Sequence, residues 1–132
     1  MLSQELHAFR NSLLRHGFDK CPLPADWREA FELLKDLIGA EDVTEEHPTK
    51  KVIFLDELSW METPESDFLS MLSSFWNGWA SKRHDLLMVV CASSTSWIFK
   101  RLLADKGGLY RRQSDVLNIK PFNLRECEAF AE

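Results

Sequence analysis

Two consecutive carboxylates, Asp56 and Glu57, have residue types and a position in this chain that could do chemistry. They follow Val52–Leu55, a continuous apolar run whose β-branched and aromatic residues predict a strand buried on both faces of a parallel sheet. In open parallel sheets, ligands bind beyond the carboxyl ends of the strands. The run therefore predicts two carboxylates at a ligand-binding edge. The simpler alternative is a strand that ends in an acidic turn.

A second apolar run, Leu86–Cys91, is followed by the hydroxyl-rich stretch 92–96. Between the two runs, the sequence predicts a short loop at Leu58–Thr63 and then a helix with Thr63 as its N-cap and Pro64 as its first residue. This helix would join the two strands into a βαβ unit, which places both strand ends at one edge. A hydroxyl there could touch a phosphate or an attacking water. The alternative is that one of these hydroxyls caps the next helix, and both roles can hold together.

An arginine pair, Arg111 and Arg112, follows the Gly107–Gly108 turn. Guanidinium groups suit phosphate charge, so one arginine could reach an anion at the same edge. A solvated surface pair is the alternative.

Cysteines and histidines indicate no metal centre. Three cysteines without a C-x-x-C pair predict reduced thiols in a cytoplasmic protein, with Cys91 a small residue of the core. The four histidines and these cysteines lack zinc-ligand spacing. A metal nuclease using Asp56 and Glu57 is disfavoured, because no lysine follows in a Glu-x-Lys arrangement.

Length and charge limit the classes of protein further. A chain of 132 residues is long enough for one domain with one core. No apolar run approaches the roughly 20 residues of a membrane span, and the first residues do not resemble a signal peptide. Residues 1–66 carry a net charge of −7 and residues 67–132 a net charge of +2. This acidic excess argues against a general nucleic-acid coat, while the basic half leaves room for a local anion site.

Helical patterns surround the two predicted strands. Helices are predicted from Leu2 to Gly17 and from the N-cap Asp26, with Glu29 completing a capping box, to Gly39. The helix between the strands carries an aromatic stripe at residues 68–79, which either packs in the core or forms a protein-binding surface.

A third strand and a final helix are predicted near the end of the sequence. The third strand spans Val116–Ile119, and Asn123 with Glu126 caps the helix that follows. The pattern predicts an α/β fold with a parallel sheet of about three strands flanked by helices.

The order of these parts resembles the prokaryotic AAA-type ATPases related to the archaeal ATPase and STAND groups. Five collinear segments carry the resemblance: Val-Ile-Phe-Leu-Asp-Glu-Leu at 52–58, Phe-Trp-Asn-Gly-Trp-Ala at 75–80, Cys-Ala-Ser-Ser-Thr-Ser-Trp-Ile at 91–98, Gly-Gly-Leu-Tyr-Arg-Arg at 107–112 and Pro-Phe-Asn-Leu-Arg-Glu-Cys at 121–127. The resemblance implies a partial P-loop NTPase fold, with ATP and Mg²⁺ as its ligands.

The resemblance also implies roles for four residues. Asp56 is similar to the Mg²⁺-holding Asp of the Walker B motif, and Glu57 to the catalytic Glu beside it. Ser93 is similar to the polar sensor after the next strand, and Arg112 to the arginine after the Gly-Gly-Leu turn. The sequence departs from the family pattern at three positions: Ser59 replaces a Pro, Ala92 a Gly and Arg111 an Asn.

No phosphate-binding loop is present in this sequence. None of its glycines, at 17, 39, 78, 107 and 108, opens a Gly-Lys-[Ser/Thr] motif. We therefore expect a single partial domain over 1–132, with 1–50 a helical lead-in and 51–132 the Walker B, sensor and last-strand region. By the resemblance, the chain begins after the P-loop strand and one further strand, so the strands at 86–91 and 115–119 lack the neighbour that should separate them.

The expected partners follow from this missing part. They are ATP and either a second copy of the chain or the absent P-loop segment. Nucleic acid stays open as a partner without support in the sequence, and no membrane is expected. We expect the isolated chain to be inactive as an ATPase. The alternative function is a non-catalytic interaction module, or a gene remnant, derived from such an ATPase.

Overall fold

The computed structural model describes residues 2–39, 50–63, 66–93, 98–103 and 108–131. These residues form a mixed α/β structure in which a small parallel sheet shares one core with helices, so the predicted α/β class is confirmed. Within those ranges, no helix combines the length and the apolar character needed to cross a membrane. The elements are α1 (Leu2–Arg15), α2 (Trp27–Gly39), β1 (Lys51–Leu55), α3 (Leu58–Met61), α4 (Phe68–Gly78), a 3-10 turn (Ala80–Lys82), β2 (Leu86–Val90), a π-helical segment (Ile98–Leu103) and α5 (Leu124–Ala131).

Local signals end α1 and begin α2 where the sequence predicts. Gly17, just past α1, has a φ of +98°, a left-handed conformation that favours glycine. At α2, Asp26 Oδ1 accepts the Glu29 N–H at 2.8 Å, and Glu29 Oε2 accepts the Ala25 N–H at 2.8 Å. Asp26 is therefore confirmed as the N-cap.

The sheet has two strands in the described part of the chain, and the prediction of about three is wrong. β1 and β2 pair in parallel, from Lys51 opposite Leu86 to Leu55 opposite Val90. The segment Val116–Ile119, predicted as the third strand, forms no strand, and its apolar side chains lie in water. A strand forms only against a neighbour that takes up its backbone hydrogen bonds, and no described strand lies beside this segment.

An aromatic cluster between α2 and α4 fills the core. Trp27 and Phe31 come from α2, and Phe68 and Phe75 come from α4. The ring centroids are 4.7 Å apart for Trp27 and Phe68 and 5.1 Å apart for Phe31 and Phe75. Such pairs add about 0.5 to 1.5 kcal/mol each to the energy of burial. The buried residues of the aromatic stripe on α4 are therefore core, the first of the two predicted alternatives.

In the part of the chain that the structure describes, the sheet is covered on one face only. Ile53 and Leu55 are buried in the core, whereas the alternate side chains of both strands are exposed. The exposed fractions are 64% for Val52, 59% for Phe54, 56% for Leu87 and 37% for Val89. Because Val52 pairs with Leu87 and Phe54 with Val89, these four side chains lie together, and we call them the open sheet face. The prediction that β1 is buried on both faces is wrong.

The residues from 110 to 131, here called the C-terminal arm, are all exposed. Its helix α5 starts with a reciprocal capping box: the Asn123 N–H donates to Glu126 Oε2 at 2.8 Å, and the Glu126 N–H donates to Asn123 Oδ1 at 3.0 Å. This confirms the predicted cap. The apolar side chains of α5 are nevertheless in water, with Leu124 90% and Phe130 81% exposed.

The connection from β1 to β2 differs from the prediction in two places. The helix α3 lies where a loop is predicted, and α4 begins at Phe68 rather than just after Thr63. Ser66 accounts for the later start, because its Oγ accepts the N–H groups of Thr63 and Phe68 at 3.3 and 3.4 Å. Pro64, predicted as the first helical residue, lies outside the described residues.

Candidate functional site at the carboxyl edge of the sheet

Backbone hydrogen bonds hold together the two turns that follow β1 and β2. The Cys91 N–H donates to the Leu55 carbonyl at 2.8 Å, and the Leu58 N–H donates to the Cys91 carbonyl at 2.9 Å. These bonds continue the pairing of the strands beyond Val90. They place the turn at Asp56 and Glu57 beside the turn that starts at Cys91.

Glu57 has a left-handed backbone conformation, with φ 52° and ψ 45°. This conformation is uncommon for a residue other than glycine and costs about 1 to 2 kcal/mol. The Asp56 side chain supports it, because Asp56 Oδ1 accepts the Glu57 N–H at 2.9 Å. The bend ends β1 and starts α3, and it leaves both carboxylates exposed at the edge. Strained backbone of this kind is frequent at functional sites.

Glu57 and Ser93 are brought together by the fold, although 36 positions separate them in the chain. Ser93 Oγ donates a hydrogen bond to Glu57 Oε2 at 3.2 Å. The predicted meeting of a carboxylate with a hydroxyl at this edge is therefore present in the structure. The other hydroxyls of the stretch, on Ser94, Thr95 and Ser96, lie outside the described residues.

Cys91 belongs to this edge, and the prediction that it lies in the core is wrong. Its side chain is exposed, in the turn beside Asp56 and Glu57. Partial desolvation, followed by the negative charges of Asp56 and Glu57, raises the pKa of the Cys91 thiol. A raised pKa lowers the fraction of thiolate, which disfavours a nucleophilic role. Cys91 follows Val90, the last residue of β2, and both side chains are exposed. The apolar run Leu86–Cys91 does not reveal that its last two residues leave the core.

Arg112 lies apart from the two carboxylates in the described contacts. Its N–H donates to the Leu109 carbonyl at 3.2 Å, and no hydrogen bond or ion pair within the described ranges joins it to Asp56, Glu57 or Ser93. The structure therefore brings Glu57 and Ser93 together beside Asp56 but does not bring Arg112 to them.

The turn before Arg112 is fixed against α4 instead. Asn77 Nδ2 donates to the Gly108 carbonyl at 2.7 Å. A Cβ added to Gly108 would clash with Ser73 Oγ, so this close approach depends on glycine. Sequence reasoning missed this contact because the 31 positions between Asn77 and Gly108 leave no local pattern.

An ion pair further from the edge joins the segment after α3 to the segment after Ser93. Arg101 Nη2, in the π-helical segment, donates to Glu62 Oε1 at 2.6 Å. The Glu62 side chain is only 13% exposed, and its Oε2 is buried with no hydrogen-bond partner among the described residues. Because Glu62 follows α3 and Arg101 follows Ser93, the pair holds the same two segments that the bond between Ser93 and Glu57 joins. No sequence spacing indicated this pair.

The chemistry available to these residues is that of an edge carboxylate beside a hydroxyl. Within the described ranges, no group of three or more His, Cys, Asp and Glu side chains could hold a metal ion. Mg²⁺ in nucleotide sites takes one or two carboxylates and completes its shell with phosphate oxygens and water. The exposed Asp56 carboxylate fits that limited role, while Glu57 could accept a proton from water or a hydroxyl group.

Comparisons of the chain with protein-family models, with curated proteins and with solved structures found no match. Its function is therefore inferred from its sequence and its geometry.

Proposed function

We propose that this chain is the Walker B and sensor portion of an AAA-type ATPase domain with a P-loop NTPase fold, which binds and hydrolyses ATP when complete. The hydrogen bond from Ser93 Oγ to Glu57 Oε2 at 3.2 Å is the observation that carries the proposal. It joins the carboxylate that would activate water to the hydroxyl that would report the γ-phosphate. An acidic turn without a function does not require a hydroxyl from the neighbouring strand.

Each residue of the site would have a separate task in this function. Glu57 would orient or deprotonate the attacking water. Asp56 would hold Mg²⁺, which when bound would neutralise charge on the phosphates. Ser93 would donate to the γ-phosphate once Glu57 turns to the water. Arg112 would stabilise the transferring charge in its own or a neighbouring subunit.

The absent phosphate loop limits what this chain does by itself. We propose that it is inactive alone and requires a segment with the Gly-x-x-x-x-Gly-Lys-[Ser/Thr] motif, whose backbone N–H groups and lysine bind the phosphates. A cytoplasmic setting fits its three cysteines, which are free in the structure.

A non-catalytic interaction module is the second candidate function. The open sheet face favours it, because four exposed apolar side chains in register suit binding to another protein surface. This candidate requires no turnover and no nucleotide.

Titration calorimetry with Mg·ATP distinguishes the two functions. The chain alone should show no binding at micromolar nucleotide. A fusion that places a strand, a phosphate loop and its helix before residue 1 should bind and hydrolyse ATP. In that fusion, Glu57→Gln should lower kcat by about a hundredfold or more while binding is kept.

A matched carboxylate provides the control for this test. Glu128 lies exposed on α5, so Glu128→Gln in the same fusion should leave kcat unchanged. A fusion that binds no nucleotide would contradict the ATPase proposal, as would equal rates in the Glu57 and Glu128 variants.

A further inference from the structure

Two apolar surfaces of this chain have no cover in the described structure. One is the open sheet face, whose four side chains form two cross-strand pairs. The other is the C-terminal arm, where six large apolar residues are more than half exposed: Val116 52%, Leu117 82%, Ile119 87%, Phe122 61%, Leu124 90% and Phe130 81%. Apolar patches of this kind usually mark an interaction site.

The arm contains segments that require a neighbour. α5 has eight residues and a complete capping box, yet a helix this short is marginal in water without packing against something. Among the described residues, the ring of Phe130 pairs with that of Phe122, just before the helix, with centroids 5.8 Å apart. The β-branched and apolar run Val116–Ile119 has the composition of a strand, and within the described residues no third strand pairs with either outer edge of the sheet.

The C-terminal arm starts on the covered side of the sheet, opposite the open sheet face of its own chain. The hydrogen bond from Asn77 to Gly108 fixes the preceding turn on α4. α4 packs in the core with Ile53 and Leu55, on the covered face of the sheet. The arm of the same chain would have to pass around the sheet, whereas a second chain can approach the open face from solvent.

Charge favours contact between an arm and a sheet over contact between two sheets. The arm has four basic and three acidic side chains, a net charge of +1, while the whole chain has a net charge of −5. The remainder of the chain therefore carries −6. Two open sheet faces in contact would bring two acidic bodies together, whereas a slightly basic arm is drawn to an acidic body.

We propose that the open sheet face binds the C-terminal arm of a second copy of this chain, so that two chains exchange arms. Phe122, Leu124 and Phe130 of one chain pack on Phe54 and Leu87 of the other. A two-fold axis makes both contacts equivalent and closes the dimer. The proposal requires no nucleotide and uses neither Asp56 nor Glu57, so its failure and the failure of the ATPase proposal are separate results.

Sedimentation velocity of the full chain at micromolar to submillimolar concentrations tests the exchange. The unchanged chain should dimerise. A face variant, Phe54→Asp, and an arm variant, Leu124→Asp with Phe130→Asp, should each weaken dimerisation at least about tenfold. Leu23→Asp is the matched control, because Leu23 is 47% exposed and lies on neither surface, so its dimerisation should stay unchanged.

Mixing the variants separates arm exchange from the other arrangements. The face variant keeps an intact arm and the arm variant keeps an intact face, so together they retain one contact and should form a heterodimer more readily than either forms a homodimer. Circular dichroism checks that each variant folds, and Leu87→Glu replaces Phe54→Asp if that variant does not.

Three results would overturn the arm exchange. A monomer at all concentrations would mean that the arm covers its own face or nothing. An arm variant that dimerises like the unchanged chain would indicate contact between two sheets. A mixture without heterodimer would exclude the reciprocal contact.

Discussion

At the scale of single residues, Glu57 has a backbone conformation that an acidic side chain does not favour. Its φ of 52° makes glycine the residue with the least strain at this position. Glu57→Gly and Glu57→Ala both remove the hydrogen bond to Ser93, so their difference isolates the backbone. We expect the Gly variant to be more stable than the Ala variant by about 1 kcal/mol, measured by urea unfolding.

Ser59, two residues further along in α3, provides the reversed comparison. In a helix, alanine is favoured over glycine by about 1 kcal/mol, so Ser59→Ala should be the more stable of that pair. An Ala variant at Glu57 as stable as the Gly variant would show that the left-handed conformation at the site is not retained in solution.

The sequence predicts the candidate site residues better than it predicts the contacts between residues. Asp56 and Glu57 stand out because they end an apolar run, and Ser93 because it follows the next one. The contact between Arg101 and Glu62 could not be read, since 39 positions separate them and no repeat or spacing relates them. Contacts of this length depend on how whole elements pack.

At the scale of elements, the two capping boxes have the same chemistry in opposite surroundings. Asp26 caps α2, which buries Trp27 and Phe31 in the core, whereas Asn123 caps the exposed α5. Asp26→Ala should therefore lower the free energy of unfolding by about 1 kcal/mol. Asn123→Ala should leave that energy unchanged in the monomer and lower only the helical content seen by circular dichroism.

Each variant is the control for the other. The comparison is made at low protein concentration, where chains do not pair. An equal loss of global stability in both variants would mean that α5 packs on the body of its own chain.

Capping signals and apolar runs were sufficient to predict α1, α2, α5, β1 and β2, because each depends on residues next to it in the sequence. The third strand could not be predicted in this way. Val116–Ile119 has the composition of a strand, but pairing depends on a neighbour that composition does not describe.

At the scale of the whole molecule, the sheet has one covered face and one open face. A run such as Val52–Leu55 is typical of strands covered on both faces. It also fits a strand whose second face is exposed in the single chain and can bind another surface. The sequence alone does not distinguish these two cases. A strand covered on both faces requires no partner, whereas a strand with one exposed apolar face is stabilised by binding one.

Two phenylalanines report on the two faces of the sheet. Phe68 is fully buried in the core behind the covered face, and Phe54 is 59% exposed on the open face. Phe68→Ala should lower the free energy of unfolding by about 3 to 5 kcal/mol at every protein concentration, because it opens a cavity. In dilute solution, Phe54→Ala should lower it by less than about 1 kcal/mol.

Raising the protein concentration should separate the two variants further. If arms cover the open face when chains pair, the unchanged chain gains stability with concentration by mass action, and Phe54→Ala loses that gain. Phe68→Ala keeps the gain, since Phe68 lies away from the open face. Thermal melts over a range of concentrations measure this directly. A melting temperature independent of concentration in the unchanged chain would mean that the open face has no second copy to bind, and Phe54 would then be an exposed residue with no packing role.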